Sequence, residues 1–147
     1  MSRVIAAHGV QLIVPPGWAR KAAASDGPVV DPRTLVVVGT AGVRPRMSNC
    51  QIAAYRIPPR GAVVVVVGWR SLKNSGAQHA KPGRAPLTKL TAVRKPSFEC
   101  FNGRGAAADV VLRGTAYQVN VMVGDRASKA LIGQALAVGR SFNLTHP

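Results

Sequence analysis

Short apolar runs separated by turn-forming residues characterise the start of the chain. Residues Arg3–Ala7 and Val10–Val14 each have the length of a strand, and His8 and Gly9 lie between them. Glycine accepts the positive φ angles that a two-residue hairpin turn requires. The pattern therefore predicts a β-hairpin over residues 3–14, and the next apolar run, 34–38, predicts a further strand.

The hairpin is followed by a chain-breaking stretch, Pro15, Pro16, Gly17 and Trp18. Proline has no N–H to donate to a sheet ladder, and glycine permits a sharp change of direction. Trp18 would then cover the end of the core, with its indole N–H reaching water or backbone. We interpret these four residues as a structural corner; the alternative is an aromatic side chain exposed in a ligand site.

The most apolar run, Ala62–Trp69, contains five consecutive valines and shows no alternation with polar residues. Such a run is typical of a strand that is covered on both faces. Residues Asn49–Ile57 also resemble a strand, and Pro58–Gly61 forms a turn between the two segments. We expect a central strand at 62–69 that pairs as a hairpin with 49–57.

The last third of the chain predicts more strands and one helix. Residues 97–102 and 107–113 resemble strands, and the alternation in 117–123 is typical of a half-buried strand. Asp125 is expected to cap a helix over Arg126–Val138 that ends at Gly139. The helix would pack on the sheet through five side chains, which are Ala127, Ala130, Leu131, Ala135 and Val138. Residues 142–144 can add a last short strand.

These elements predict a single α+β domain over residues 1–147. We expect a mainly antiparallel, twisted sheet of about seven or eight short strands with one C-terminal helix packed on it. Residues 71–96 are polar and lack periodicity, so they predict a long loop, and this loop is rich in basic residues. Loops of that length are usually functional or disordered.

Charge sharpens this picture, because the chain has a formal net charge of +15. Residues 32–98 contain twelve basic residues and no Asp or Glu. Such a stretch attracts polyanions, although a large positive charge also keeps a valine-rich protein soluble. The residues we expect to bind anions are Arg44, Arg46, Arg70, Lys73, Lys81, Arg84, Lys89, Arg94 and Lys95.

Two stretches carry a resemblance to known proteins, "GVQLIVPPGW" and "FECFNGRGAAADVVLRGTAYQVNVMVG". Together with the short helix that follows, they resemble small single-domain proteins of actinobacteria that have no assigned function. The residues that match are Gly9, Val10, Leu12, Pro15, Gly17, Trp18, Cys100, Gly103, Arg104, Gly105, Val121 and Gly124. The resemblance implies an α+β domain and brings no catalytic residues.

The chain contains two cysteines, Cys50 and Cys100, without the paired Cys or His spacing of a zinc site. They can form a disulfide in an oxidising compartment, or remain buried thiols that pack as small apolar groups. Most of the proteins that the chain resembles are exported or membrane-tethered, and this resemblance favours the disulfide. We expect no metal site.

The sequence offers little support for catalysis. The acidic residues are few, nothing positions them as a carboxylate pair, and the three histidines are widely separated. Residues Gly103–Ala108 match a loose dinucleotide-binding pattern, but too few residues follow them to form the helix that such a unit needs. We therefore expect neither an enzyme nor a cofactor.

The favoured function is a non-catalytic binding or accessory module whose basic face meets an anionic polymer or an acidic protein surface. A nucleic-acid-binding protein without sequence specificity is the alternative, with Tyr55, Phe98, Phe101 and Tyr117 as stacking residues. A small enzyme without a recognisable motif is the least favoured class. No transmembrane segment or signal peptide is expected in the chain as given. The sequence leaves two locations open, the cytoplasm or, if a leader has been removed, the cell envelope or the outside of the cell.

Overall fold

The computed structural model describes residues 1–24, 31–71, 83–95 and 100–147. The elements in chain order are β1 (Arg3–Ala7), β2 (Val10–Val14), β3 (Trp18–Arg20), β4 (Arg33–Thr40), β5 (Arg44–Pro45), β6 (Tyr55–Arg56), β7 (Ala62–Gly68), β8 (Gly105–Leu112), β9 (Thr115–Val123), α1 (Lys129–Arg140) and β10 (Asn143–Leu144). The mainly antiparallel α+β class is confirmed. The ten strands in the described ranges exceed the predicted seven or eight.

A five-stranded antiparallel sheet in the order β3-β4-β7-β9-β8 forms the centre of the fold. Every residue of β7 is buried, because the sheet is covered on both faces. The prediction of a central valine strand is therefore confirmed. Its predicted partner was wrong: β7 pairs with β4 and β9. Of residues 49–57, only Tyr55–Arg56 forms a strand, and it pairs with β5.

The first face of this sheet is covered by regular secondary structure. Alternate residues of its strands, such as Val64, Val66 and Val121, share one apolar core with side chains of α1 and of a second sheet, β1-β2-β10. Phe142 is completely buried in this core, and its ring lies 5.5 Å from that of Tyr117. We call this cluster the first core.

The helix on this face begins later than predicted. Ser128 is its N-cap, and the Ser128 hydroxyl accepts a hydrogen bond from the backbone N–H of Leu131. The predicted cap, Asp125, lies before the helix and is exposed. Ala130, which was expected to face the sheet, is also exposed. Gly139 does not end the helix but lies within it, where a Cβ atom would come within 2.9 Å of Val121.

The second face of the sheet is covered by the segment 43–57, which contains only the short strands β5 and β6. Val63, Val65 and Met122 contact Val43 and Tyr55 of this cover in a second core. Strand β9 is thus buried on both faces at its end, and the prediction that it is half-buried was wrong there. The alternation within β9 does not indicate that the segment 43–57 buries the second face of this strand.

The outer edge of β8 is bordered by residues 83–95, which contain no helix or strand. The Gly83 N–H donates to the Val111 carbonyl, and Arg94 and Gly105 exchange two backbone hydrogen bonds. Between these points Leu87 and Leu90 insert into the first core. The rest of the predicted long loop, residues 72–82 and 96, lies outside the described ranges. Residues 100–102 belong to no strand, contrary to the prediction for 97–102; residues 97–99 of that prediction also lie outside the described ranges.

The Pro-Pro-Gly-Trp stretch connects the two sheets. Gly17 has a φ of 89°, which glycine adopts without a steric penalty. Trp18 begins β3 and is 2% exposed within the first core. Its indole Nε1 donates to Oε1 of Gln134 on α1, at 3.1 Å. The partner of the indole is therefore a side-chain amide, whereas water or backbone was expected.

Candidate anion-binding surface

The described residues among those predicted to bind anions belong to three different segments of the chain. Arg44 and Arg46 lie in the cover of the second face, and Arg70 follows β7. Arg84, Lys89, Arg94 and Lys95, which we call the loop cations, lie in the segment that packs through Leu87 and Leu90 into the first core. All seven of these side chains are exposed. Lys73 and Lys81 lie outside the described residues.

Two basic residues face each other in the two-stranded ribbon β5-β6. Arg44 and Arg56 are paired directly opposite each other, and both are exposed. Side chains at directly opposite positions of an antiparallel pair lie on the same side, with Cβ atoms about 5 Å apart, and like charges there repel each other. The other pair of the ribbon is Pro45 with Tyr55, and Tyr55 is buried. The ribbon thus presents two arginines to solvent from its outer side.

Arg46 continues this ribbon. Its backbone N–H donates to the Ala54 carbonyl at 2.8 Å. One guanidinium nitrogen of Arg46 donates to the Ala53 carbonyl at 2.9 Å, which orients the group at the edge of a cavity. A guanidinium has five N–H donors, so this bond leaves several for another acceptor. We call Arg44, Arg46 and Arg56 the arginine cluster.

The cavity beside Arg46 has a volume of about 340 Å³. Its walls combine Tyr55 and Phe101, which are aromatic, with Asn102 and Asp125, which are polar. The remaining lining comes from Ala53, Ile57, Pro59 and residues 100, 103 and 122–124. The volume is within the range of small-molecule sites, which starts at about 300 Å³. The cavity can therefore hold a small organic group, and one of its sides is cationic.

A disulfide between Cys50 and Cys100 connects the two sides of this region, and their Cα atoms are 6.2 Å apart. The bond joins the cover of the second face to the residues that follow Cys100 along the cavity wall. The expectation of a disulfide is thus confirmed, and neither sulfur is available as a thiol nucleophile. Cys100 has a φ of 68°, which brings the chain into a left-handed turn before Phe101.

Arg104, which the sequence analysis did not single out as functional, has a structural position beside the cavity. Its guanidinium donates to the carbonyls of Gly124 and Asp125, each at 3.2 Å, and of Ala127 at 3.5 Å. These bonds hold the turn that leads from β9 to α1. Residues 122–125 at this turn form one wall of the cavity. Because these bonds direct the guanidinium towards the β9–α1 turn, we do not include Arg104 in the arginine cluster.

The acidic residues that the structure describes lie mostly away from the arginine cluster. Asp109 accepts a hydrogen bond from the side chain of Gln118, and Asp31 accepts from the backbone N–H groups of Arg70 and Ser71. Asp125 is exposed and lines the same cavity as Arg46. Asp26 and Glu99 lie outside the described residues.

The aromatic residues considered for base stacking are placed mainly in the cores. Tyr55 is 4% exposed, and its hydroxyl accepts the backbone N–H of Ala24 at 3.0 Å. Tyr117 packs on Phe142 in the first core, and Phe101 packs at the border of the second core. Phe98 lies outside the described residues. The three described rings therefore do not form a shared open platform.

The two histidines that the structure describes lie in different parts of the fold. His8 Nδ1 contacts the Leu35 carbonyl at 2.9 Å in the β1-β2 turn, and His146 is exposed near the end of the chain. Within the ranges described, no three His, Cys, Asp or Glu side chains are grouped as metal ligands would be.

In the same ranges, no helix is long and apolar enough to cross a membrane.

Sequence reasoning identified Arg44 and Arg46 but left Arg56 out of the site. The signal that could have included it is the spacing of the charges: Arg44 and Arg46 lie two residues apart, and Arg56 precedes the Pro58-Pro59 turn. The sequence did not show that residues 55–56 pair with residues 44–45, because residues 49–57 were expected to pair with the valine strand.

Comparison with known proteins gives no assignment, since no protein-family model and no curated protein matches the chain. The resemblance to small actinobacterial proteins and the function classes that follow from the sequence remain predictions.

Proposed function

We propose that this protein is a non-catalytic binding module that presents basic side chains to an anionic polymer or an acidic protein surface. The net charge of +15 supports such a partner, because long-range attraction to a polyanion grows with the charge of the protein. All seven described residues of the predicted set are exposed, so their charges are available to a partner.

The observation that carries the proposal is the cross-strand pair of Arg44 and Arg56. Like charges at directly opposite positions destabilise a strand pair relative to neutral side chains. A charge that served only solubility would not need this placement, since the same charge could be spread over the surface. An anion bound between the two guanidiniums would relieve the repulsion. The pair therefore favours binding over solubility as the role of these charges.

The alternative of a nucleic-acid-binding protein differs in what the aromatic rings do. Single-stranded nucleic acids are commonly held by stacking of bases on exposed rings, in addition to phosphate contacts. Tyr55 and Tyr117 pack inside the protein, and this favours a partner recognised through its charged groups. Contacts to phosphate alone remain compatible with a duplex, so the experiment includes one.

The test is retention on immobilised dextran sulfate across a series of salt concentrations, with two variants of equal charge. The first variant carries Arg44→Gln, Arg46→Gln and Arg56→Gln. The matched control carries Arg84→Gln, Lys89→Gln and Lys95→Gln, three of the loop cations. We expect the wild-type chain to elute at high salt and the arginine-cluster variant to elute much earlier than the control.

Elution of the wild-type chain at low salt would contradict the proposal, and the charge would then serve solubility. Equal shifts in the two variants would mean that total charge, and not the arginine cluster, governs retention. In a parallel experiment, duplex DNA of equal charge density replaces the polysaccharide. A strong preference for DNA would favour the nucleic-acid alternative.

A further inference from the structure

We infer that the arginine cluster binds a tetrahedral oxyanion, so that the partner polymer carries phosphate or sulfate groups and not carboxylates alone. The inference rests on the proposed function and names the chemistry of the ligand. The juxtaposition behind it is Arg44 opposite Arg56 on the outer side of β5-β6, with Arg46 next along the ribbon and at the edge of the cavity.

The number of donors favours a tetrahedral anion. Each guanidinium presents a planar fork that can bind two oxygens, and a carboxylate has only two oxygens to offer. A carboxylate can bind one fork through both of its oxygens, but its remaining lone pairs lie in the same plane, so a second fork from a facing arginine meets them in poorer geometry. An inorganic phosphate or sulfate ion, a phosphate monoester or a sulfate ester offers three or more unbridged oxygens in different directions, so two forks can bind it at once. Arginine is the preferred residue for such recognition.

The ribbon is held in place before any ligand binds. Pairing with β5 fixes the backbone at Arg56, and the buried Tyr55 beside it anchors the ribbon to the second core. The disulfide ties Cys50, in the connection between the two strands, to Cys100. The hydrogen bond from Arg46 to the Ala53 carbonyl fixes a third guanidinium. Such preorganisation reduces the entropy lost on binding.

The cavity next to Arg46 defines what can be attached to the anion. Phe101 and Asn102 can contact an organic group through an aromatic surface and an amide. Asp125 on the same wall repels a second anion. The cavity therefore suits a neutral or cationic unit, such as a hydroxylated one, with its phosphate or sulfate on the arginine cluster.

The experiment titrates the isotope-labelled protein with inorganic phosphate, inorganic sulfate and acetate in a buffer of low chloride content. Backbone amide NMR shifts of residues 44–56 are the readout. We expect phosphate and sulfate to bind at this segment and acetate to bind at least about tenfold more weakly, a difference of about 1.4 kcal/mol.

Amino-acid substitutions show which residues bind the anion. The double variant Arg44→Gln, Arg56→Gln is expected to weaken phosphate binding by at least about tenfold, or about 1.4 kcal/mol. The control is Arg20→Gln, which removes an exposed arginine from the edge strand β3 and should leave binding unchanged. Asp125→Asn removes the like charge of the cavity wall and should strengthen binding by about twofold to threefold, as expected for charges near a protein surface. The amide spectra of all variants also report whether the fold is kept.

Equal affinity for acetate and phosphate would overturn the inference, and so would phosphate shifts that persist in the double variant. A polymer experiment separates this failure from that of the proposed function. Dextran that carries phosphate monoesters, dextran sulfate and polyglutamate are compared at equal charge density, and we expect the first two to bind more strongly. If all three bind equally, the binding module stands but the tetrahedral site does not. If none binds, both fail.

Discussion

The two faces of the central sheet are covered in different ways. On the first face, a helix and a second sheet satisfy their own backbone groups by regular hydrogen bonds and pack their side chains into the first core. On the second face, the segment 43–57 has only two short strands, and a disulfide ties it to the other side of the cavity. Regular elements stabilise a cover through their own hydrogen bonds, whereas an irregular segment needs another restraint. The candidate site lies on the second type of cover.

Removal of the disulfide should lower the free energy of unfolding more than the other substitutions, and it should destabilise mainly the cover of the second face. In the chain-entropy model, the bond closes a loop with a sequence separation of 50 and contributes about 4 kcal/mol to the free energy of unfolding. We expect the variant Cys50→Ala, Cys100→Ala to lose about that much in urea unfolding. Hydrogen exchange should accelerate in residues 43–57 more than in α1. If hydrogen exchange accelerated equally in residues 43–57 and in α1, the disulfide would not stabilise the second face in particular.

Two neighbouring valines of β7 allow a matched comparison of the cores. Val64 faces the first core and Val65 the second, and both have 0% exposure. We expect Val64→Ala to cost about 3 kcal/mol and Val65→Ala about 2 kcal/mol, because the cost of a cavity falls where the surroundings can collapse into it. Urea unfolding measures both values. A larger cost at Val65 would show that the irregular cover is the more rigid of the two.

The smallest effect concerns the start of the helix on the first face. Ser128→Ala removes the hydroxyl that caps α1 and should cost about 1 kcal/mol. Asp125→Ala serves as the comparison, because Asp125 does not cap the helix, and it should leave the unfolding midpoint nearly unchanged. If Asp125→Ala proves the more costly of the two, the cap assignment is wrong.

Much of the first face could be predicted from the sequence, because its elements carry local signals. The run of valines in β7 predicted coverage on both faces, and the apolar positions 135 and 138 predicted a helix side that packs on the sheet. The error at the helix start has a local cause: Asp125 and Ser128 are both good capping residues. The choice between them depends on the Arg104 guanidinium and the backbone of Pro59, which hold residues 124–127 in a turn.

The second face could not be predicted in the same way, because its contacts join residues far apart in the chain. Residues 49–57 contain enough apolar residues to resemble a strand, yet Ala53 and Ala54 are buried in an irregular segment. The pairing of Arg56 with Arg44 follows from that arrangement and has no signature within either short segment. The positive charge of the region was evident from the sequence, whereas the arrangement that brings three arginines together was not.

The residues that border β8 have a consequence for how the molecule behaves at high concentration. An outermost strand with free N–H and C=O groups is a template onto which another polypeptide can add. Here Gly83 and Arg94 occupy backbone groups at the two ends of β8, and Leu87 and Leu90 hold the intervening chain against the core. At these points the border of the sheet is occupied by the protein's own polypeptide, which leaves fewer backbone groups for another chain to pair with.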